Sequence, residues 1–249
     1  DPTVANKTPQ PHHGTMRVAL FGGSFDPPHV GHQLACLYVL LTYPVDEVWM
    51  IPVFRHAFDK RSVPFAHRVA MCERAAAAIG PAVRVCTIEQ ELAGPSYTLL
   101  TVQALNKRHP EHDFALVIGA DLIKERERWY GWPELAQLVP FLVLARGGVQ
   151  REKAAPPAGG QLHDERHEEE LELPEVCSTA VRARLREGKL PHGWVARGVL
   201  SYIREQGLYL YQAAAPPEAP GPESAPPSRH RHWPELGPEA SADGERGSK

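Results

Sequence analysis

Five short apolar runs, alternating with segments of helical spacing, predict an α/β fold: a Rossmann-like, doubly wound parallel sheet in one domain with C-terminal helices. The runs cover residues 18–21, 45–53, 83–88, 114–119 and 141–145 of the 249-residue chain. A second observation says where such a domain would work. The first run ends in Gly22-Gly23-Ser24-Phe25-Asp26-Pro27-Pro28, a tight turn that feeds a helix starting near Val30 or Gly31. Ligands of this fold class bind beyond the carboxyl ends of the strands, where the strand order reverses, and the turn falls at such an end.

Val18-Ala19-Leu20-Phe21 carries no polar side chain, as a strand buried on both faces requires. The glycines that follow remove side chains where the backbone must approach something bulky and anionic. The helix start offers unpaired N–H groups and a partial positive charge, which suit phosphate. His29 and His32, three apart, would share one face of its first turn. Residues 45–53 read as a second strand that Pro52 brings to an end, and residues 54–64 as a loop rich in Arg, His and Lys. Residues 65–79 have the propensity and spacing of a helix, which Gly80-Pro81 stops. A third strand is expected over 83–88. Residues 96–107 begin with hydroxyl side chains and set Leu99, Val102 and Leu105 at helical spacing. The fourth strand, 114–119, ends in glycine; one or two short helices are expected over 120–138, then the fifth strand over 141–145. After a short strand from Leu171, Ser178 or Thr179 is expected to cap a helix that carries Arg182 near its start. Residues 199–203 and 207–210 close the domain.

The two ends are unlike the middle. Residues 1–15 are polar and read as a disordered extension; residues 213–249, rich in Pro, Ala, Glu, Gly and Ser, bury too little apolar surface to offset their ordering entropy and read as a disordered tail. Residues 147–170, with Pro156-Pro157, Gly159-Gly160 and an acidic run, read as a surface insertion. That leaves 16–212 for one domain with a substantial core. The net charge of −3 and the lack of a basic stripe argue against nucleic-acid binding. The chain has no apolar run long enough for a bilayer and no signal-peptide pattern. Cys36, Cys72, Cys86 and Cys177 are scattered without Cys-x-x-Cys pairs, so a membrane-free, cytoplasmic protein with reduced thiols is expected. His163 and His167 lack the glutamate placement of a zinc hydrolase helix and an apolar face, and no metal-ligating residues are expected. Oligomeric state is left open.

Residues 22–32 resemble the signature of the nucleotidylyltransferase superfamily, a strand–turn–helix with His-x-Gly-His, here His29-Val30-Gly31-His32. Members transfer a nucleotidyl group from a triphosphate to a phosphate monoester and release pyrophosphate. Residues 176–182 resemble the superfamily's second motif, Ile-Ser-Ser-Thr-x-x-Arg, with Val176 and Cys177 replacing its first two residues; Cys177 removes one hydroxyl donor. Within the superfamily, residues 16–211 resemble the bacterial nicotinate-nucleotide adenylyltransferases. The stretches concerned are Ser96-Tyr97-Thr98, Ile118-Gly119-Ala120-Asp121, Trp129-Tyr130-Gly131-Trp132, Leu144-Ala145-Arg146, and Tyr202-Ile203 followed by Gly207-Leu208-Tyr209.

The resemblance implies transfer of AMP from ATP to nicotinate mononucleotide, giving deamido-NAD and pyrophosphate in NAD biosynthesis. Such a transfer needs no covalent intermediate, so positioning and electrostatics carry the catalysis. His32, His29 and Arg182 are then the catalytic candidates, His32 as the donor to the transition state. Gly22, Gly23, Ser24, Phe25, Asp121, Ser178 and Thr179 join them in binding ATP. The resemblance implies that Trp129 stacks on the pyridine ring while the Thr98 hydroxyl and the Tyr130 backbone N–H meet its carboxylate. Lys60 and Arg146 are further candidates for the substrates, although the 54–64 loop departs from the family's Pro-Pro-His-Lys pattern. Mg²⁺ is expected to arrive on the ATP phosphates. Adenylyltransferases for nicotinamide mononucleotide or phosphopantetheine share the fold and the phosphate motifs, and a non-catalytic nucleotide sensor could keep both. The phosphopantetheine enzymes usually have Thr where this chain has His29 and lack the Trp129-Tyr130 pair.

Overall fold

A computed structural model describes residues 15–56, 62–123, 125–144 and 176–210. Strands β1 (Met16–Gly23), β2 (Glu47–Pro52), β3 (Val83–Val85), β4 (His112–Gly119) and β5 (Phe141–Leu144) form one sheet in the order β3-β2-β1-β4-β5. Every pairing is parallel. The chain builds outward from β1 to β3, then crosses back to lay β4 on the other side of β1. The order therefore reverses between β1 and β4, as the doubly wound class requires.

Alternation along the strands divides the core in two. Val18, Leu20, Ile51, Leu116, Ile118 and Val143 face helices α3 (Thr98–Arg108) and α5 (Trp132–Leu138). Ala19, Phe21, Val48, Met50, Val117 and Leu142 face α1 (Val30–Thr42) and α2 (Phe65–Ala77). Leu99, Val102 and Leu105, set at helical spacing, are the buried stripe of α3. The second helix is covered on two sides. Cys72 and Ala76 touch the sheet layer, while Met71 and Ala75 pack with Val181, Leu185, Val199 and Ile203 of α6 (Ser178–Arg186) and α7 (Arg197–Glu205). Each such Val, Leu, Ile or Met side chain, fully buried, stabilises the fold by about 1.5–3 kcal/mol. Burial also pushes the Cys36 thiol up to about 12 and raises that of Cys72.

Several boundaries differ from the sequence reading. The third strand stops at Val85: Cys86 donates its N–H to the Met50 carbonyl at 2.9 Å, and Ile88–Glu91 then winds into a 3₁₀ turn. Residues 120–138 hold α4 (Ala120–Ile123), a 3₁₀ turn at Arg126–Arg128, and α5. The expected strand from Leu171, the 147–170 insertion, the 213–249 tail and nearly all of the N-terminal extension lie outside the described residues. Among the described residues no helix is long and apolar enough to cross a membrane.

Candidate active site

The glycine turn leaves the carboxyl end of β1, where Gly22 and Gly23 pair with Ile51 and Pro52 of β2. A Cβ built on Gly22 meets nothing within 4 Å, so that face of the strand end is open; on Gly23 it would lie 3.0 Å from the Phe25 ring. Phe25 has a φ of 47°, a left-handed conformation that costs a non-glycine residue on the order of 1–3 kcal/mol. Packing holds it there. The ring is 1% exposed and stands edge-on to Phe21 at 5.6 Å and to His32 at 4.9 Å.

His29 is the N-cap of α1 and His32 lies in the first turn, their ring centroids 3.7 Å apart, so the two share a face as their spacing requires. His32 Nδ1 accepts the His29 backbone N–H at 3.1 Å. A neutral imidazole that accepts at Nδ1 carries its proton on Nε2, which makes that nitrogen a donor.

The second motif is clasped onto this turn. Ser178 Oγ donates to the Pro27 carbonyl at 2.9 Å, and Arg182 Nη1 donates to the Asp26 carbonyl at 2.7 Å. Arg182 Nη2 also donates to Thr179 Oγ1 at 3.1 Å. These bonds correct one expectation: neither Ser178 nor Thr179 caps α6. Cys177 holds the N-cap position, because Ser178 is already helical and its hydroxyl is committed to Pro27.

Asp26, 2% exposed, ties the turn to the end of the domain. Its Oδ1 accepts the Tyr209 hydroxyl at 2.8 Å and the Val63 N–H at 3.3 Å, and its Oδ2 lies 3.9 Å from Arg182 Nη1. Burial, then the Asp26 charge, pushes the Tyr209 phenol upward. Arg68 is equally buried and donates to the Val63 and Ser24 carbonyls at 3.1 and 3.0 Å. Burial lowers its guanidinium below the usual range, and Asp26 is the foremost charge opposing that shift. Asp26 and Tyr209 lie within motif stretches of the sequence, but their mutual bond is set by the fold and has no signature in local spacing. Arg68 carries no such signal.

A cleft of about 240 Å³ runs from Gly22, Gly23 and Ser24 to Thr98 and Trp129. Thr98 is the first residue of α3. Trp129 is half-buried against the core, its ring 5.8 Å from that of Trp132 and perpendicular to it. Between the ends lie Glu89, Ser96 and Thr101. Glu89 is buried and accepts the Phe54 N–H at 2.9 Å and the Thr101 hydroxyl at 3.1 Å. Ser96 Oγ accepts the N–H groups of Phe54 and Arg55 at 3.2 and 3.0 Å. Glu89 and Thr101 have no distinguishing spacing in the sequence. Tyr130 is 56% exposed and stacks on Tyr97 at 4.5 Å, its ring outside the cleft lining. Asp121 follows the end of β4 in α4, with its side chain outside the described residues, as are Lys60, Arg146, His163 and His167.

The chain is similar to known proteins. A family model described as cytidylyltransferase-like matches residues 20–184. A probable nicotinate-nucleotide adenylyltransferase of Anaeromyxobacter sp. (strain K) is 41% identical over 199 residues, 79% of this chain and 98% of its own. One from Myxococcus xanthus (strain DK1622), of the same name, is 37% identical over 78% of this chain and 95% of its own. Among solved structures, Plasmodium falciparum nicotinic acid mononucleotide adenylyltransferase complexed with NaAD superposes with a TM-score of 0.62 at 17% identity, over 79% of this chain and 98% of that one, which supports the fold. With a family model matched over residues 20–184 and relatives aligned over nearly their whole length, the chain belongs to the cytidylyltransferase-like nucleotidyltransferases and, within them, to the nicotinate-nucleotide adenylyltransferase family.

Proposed function

We propose that the chain transfers the adenylyl group of ATP to nicotinate mononucleotide, giving deamido-NAD and pyrophosphate. The observation that carries this reading is the cleft joining the glycine turn to Thr98 and Trp129: Gly22, Gly23 and Ser24 at one end, a helix start and an aromatic face at the other, with His29, His32 and Arg182 on the turn and clasp outside its lining. The relatives' shared name supports the same acceptor.

In this reading a phosphate oxygen of the mononucleotide attacks the α-phosphorus of ATP. The bond from that phosphorus to the bridging oxygen breaks, and pyrophosphate leaves with the electron pair. His32 presents Nε2–H to the phosphates because its Nδ1 is held by the His29 N–H. His29, Ser24, Ser178 and Thr179 add donors, and Arg182, anchored on Asp26, brings a fixed positive charge. Mg²⁺ would come in on ATP, since it takes oxygen ligands and the groups of this turn are imidazoles, hydroxyls and a guanidinium suited to phosphate. The carboxylate of this turn, Asp26, already serves Tyr209 and Val63. The ion's part is to offset charge on the leaving pyrophosphate. Asp121, Lys60 and Arg146 are assigned to further substrate contacts.

At the other end, Trp129 supports the pyridine ring by stacking. The Thr98 hydroxyl and the Tyr130 backbone N–H receive its carboxylate, helped by the start of α3, whose dipole favours an anion by about 0.3–1 kcal/mol. The carboxylate accepts from both groups in charge-assisted bonds, whereas the amide analogue must turn its NH₂ to the Thr98 oxygen and offers the backbone N–H only a neutral carbonyl. That mismatch costs on the order of 1–3 kcal/mol, roughly ten- to hundredfold in preference. The test is pyrophosphate release, measured as kcat/KM, for both mononucleotides and for phosphopantetheine on one preparation. Preference for the acid is expected; equal values, or preference for either competitor, overturn the assignment.

A further inference from the structure

At the amino-terminal edge of the sheet, the end opposite the glycine turn, α3 connects to β4 through His109-Pro110-Glu111-His112. Two backbone bonds fix this corner. His109 donates its N–H to the Leu105 carbonyl at 2.8 Å, and His112 donates to the His109 carbonyl at 3.0 Å. The two imidazoles are thereby held as a parallel pair, planes 4° apart and centroids 5.1 Å apart. Behind them the Trp49 ring stands edge-on to both, at 5.4 and 5.9 Å, and restricts their rotation. Glu111 Oε1 lies 3.4 Å from His109 Nδ1 and 3.5 Å from His112 Nδ1.

Those separations have a chemical meaning. A zinc ion bound tetrahedrally at 2.0–2.1 Å sets its ligand atoms roughly 3.4 Å apart along each edge. In this corner the three ligand atoms all lie within 4.8 Å of one another. His112 Nδ1 is buried and has no hydrogen-bond partner among the described residues, a state that a coordinated ion would relieve. Two imidazoles and a carboxylate suit the divalent transition metals and suit Mg²⁺ poorly.

We propose that His109, Glu111 and His112 bind one divalent transition-metal ion of the zinc class, with solvent completing its shell. The ion would pin the carboxyl end of α3 to the start of β4. The same helix opens with Thr98 and Thr101 in the cleft, so the site steadies an element of the candidate active site from its far end. It takes no part in the chemistry. Nothing in the sequence reading anticipates it, because the motif lies in a tight turn and not along a helix face.

The test is zinc binding to the full chain after treatment with a chelator and dialysis, by calorimetry and thermal melting. Because the chain has 13 histidines, the assignment rests on variants and not on total uptake. Glu111→Gln is the main variant, its side chain being 61% exposed and its replacement harmless to the fold; His109→Asn is the second. The wild type is expected to bind one equivalent that both variants lose or hold about tenfold or more weakly. At a hundredfold excess over its Kd, zinc should raise the wild-type Tm by roughly 5–10 °C and leave the Glu111→Gln Tm unchanged. Should His109→Asn melt early without metal, Glu111→Gln decides alone. The proposal is overturned if the wild type takes up no zinc, if Glu111→Gln retains that equivalent with its thermal shift, or if Mg²⁺ at equal concentration displaces it.

Discussion

Removing the Glu89 side chain tests whether the cleft is organised by a hydrogen-bond hub. Its two oxygens accept the Phe54 N–H at 2.9 Å and the Thr101 hydroxyl at 3.1 Å in a site 7% exposed. Bonds to a charged acceptor are worth about 1.5–3 kcal/mol each, so losing both sets a ceiling of roughly 3–6 kcal/mol. The structure lowers that ceiling, since each donor has a second acceptor: Ser96 Oγ lies 3.2 Å from the Phe54 nitrogen, and the Tyr97 carbonyl 3.3 Å from the Thr101 hydroxyl. Glu89→Ala should therefore cost about 2–3 kcal/mol, a fall in Tm of roughly 5–10 °C for a domain of this size. Glu89→Gln keeps one acceptor for Phe54, and its amide can donate to the Thr101 oxygen while that hydroxyl turns to Tyr97. It should cost under about 1 kcal/mol. Thermal melting of both variants, followed by KM for the mononucleotide and for ATP, reads the difference. Ala should raise KM for the mononucleotide more than KM for ATP, and Gln should restore most of both properties. If Gln is as damaging as Ala, negative charge and not hydrogen bonding holds the cleft, and the reasoning fails.

His32→Ala should lower turnover about a hundredfold or more, the scale of a lost transition-state donor, with ATP affinity changed far less; near-normal turnover at saturating substrates removes His32 from that role. Arg182→Lys keeps the charge but cannot span both the Asp26 carbonyl and Thr179 Oγ1, so kcat/KM for ATP should fall roughly ten- to hundredfold, and an unchanged value would show that the planar fork is not required. Alkaline stability follows from Cys36, whose thiol burial raises from 9.0 to about 12. The unfolded chain gives up that proton first, so its contribution is fully present below pH 9 and is lost as the pH rises towards 12. The slope is about 1.4 kcal/mol per pH unit for one thiol. Urea midpoints between pH 8 and 11 should decline, and Cys36→Ala should flatten part of the decline; midpoints that rise over that range contradict it.

The parts legible in the sequence are those where local chemistry and tertiary role coincide. Gly22 to His32 announces a tight turn between a strand and a helix, and the structure keeps that turn between β1 and α1. The Ser178-to-Arg182 stretch is legible as residue types, but its bonds are not: a hydroxyl before a helix reads as a cap, and only the approach of Pro27 diverts Ser178 from that task. Arg68 sits in an amphipathic helix, where an arginine reads as solvent-facing. Its burial depends on the Ser24 and Val63 carbonyls, which come from elsewhere in the chain. Glu89 was hidden for a related reason. The apolar residues around it suggest a longer third strand, whereas the chain leaves the sheet at Cys86 and turns the carboxylate inward. Side chains that satisfy distant backbone groups leave no periodic trace.

The clasp on the glycine turn has a temporal consequence. Ser178, Arg182 and Tyr209 reach back across 151, 156 and 183 residues to bond Pro27 and Asp26. A nascent chain that has emerged from the ribosome as far as β5 holds every strand and the Val63 and Arg68 contacts to the turn, yet it lacks the three groups that clasp the turn from the carboxyl-terminal side. Loop closure over such separations adds only about 0.6 kcal/mol per doubling of length, so the delay is one of order and not of energy. The turn is therefore complete only once synthesis has passed Tyr209, and a truncated translation product keeps the strands without the clasp on Asp26 and Pro27.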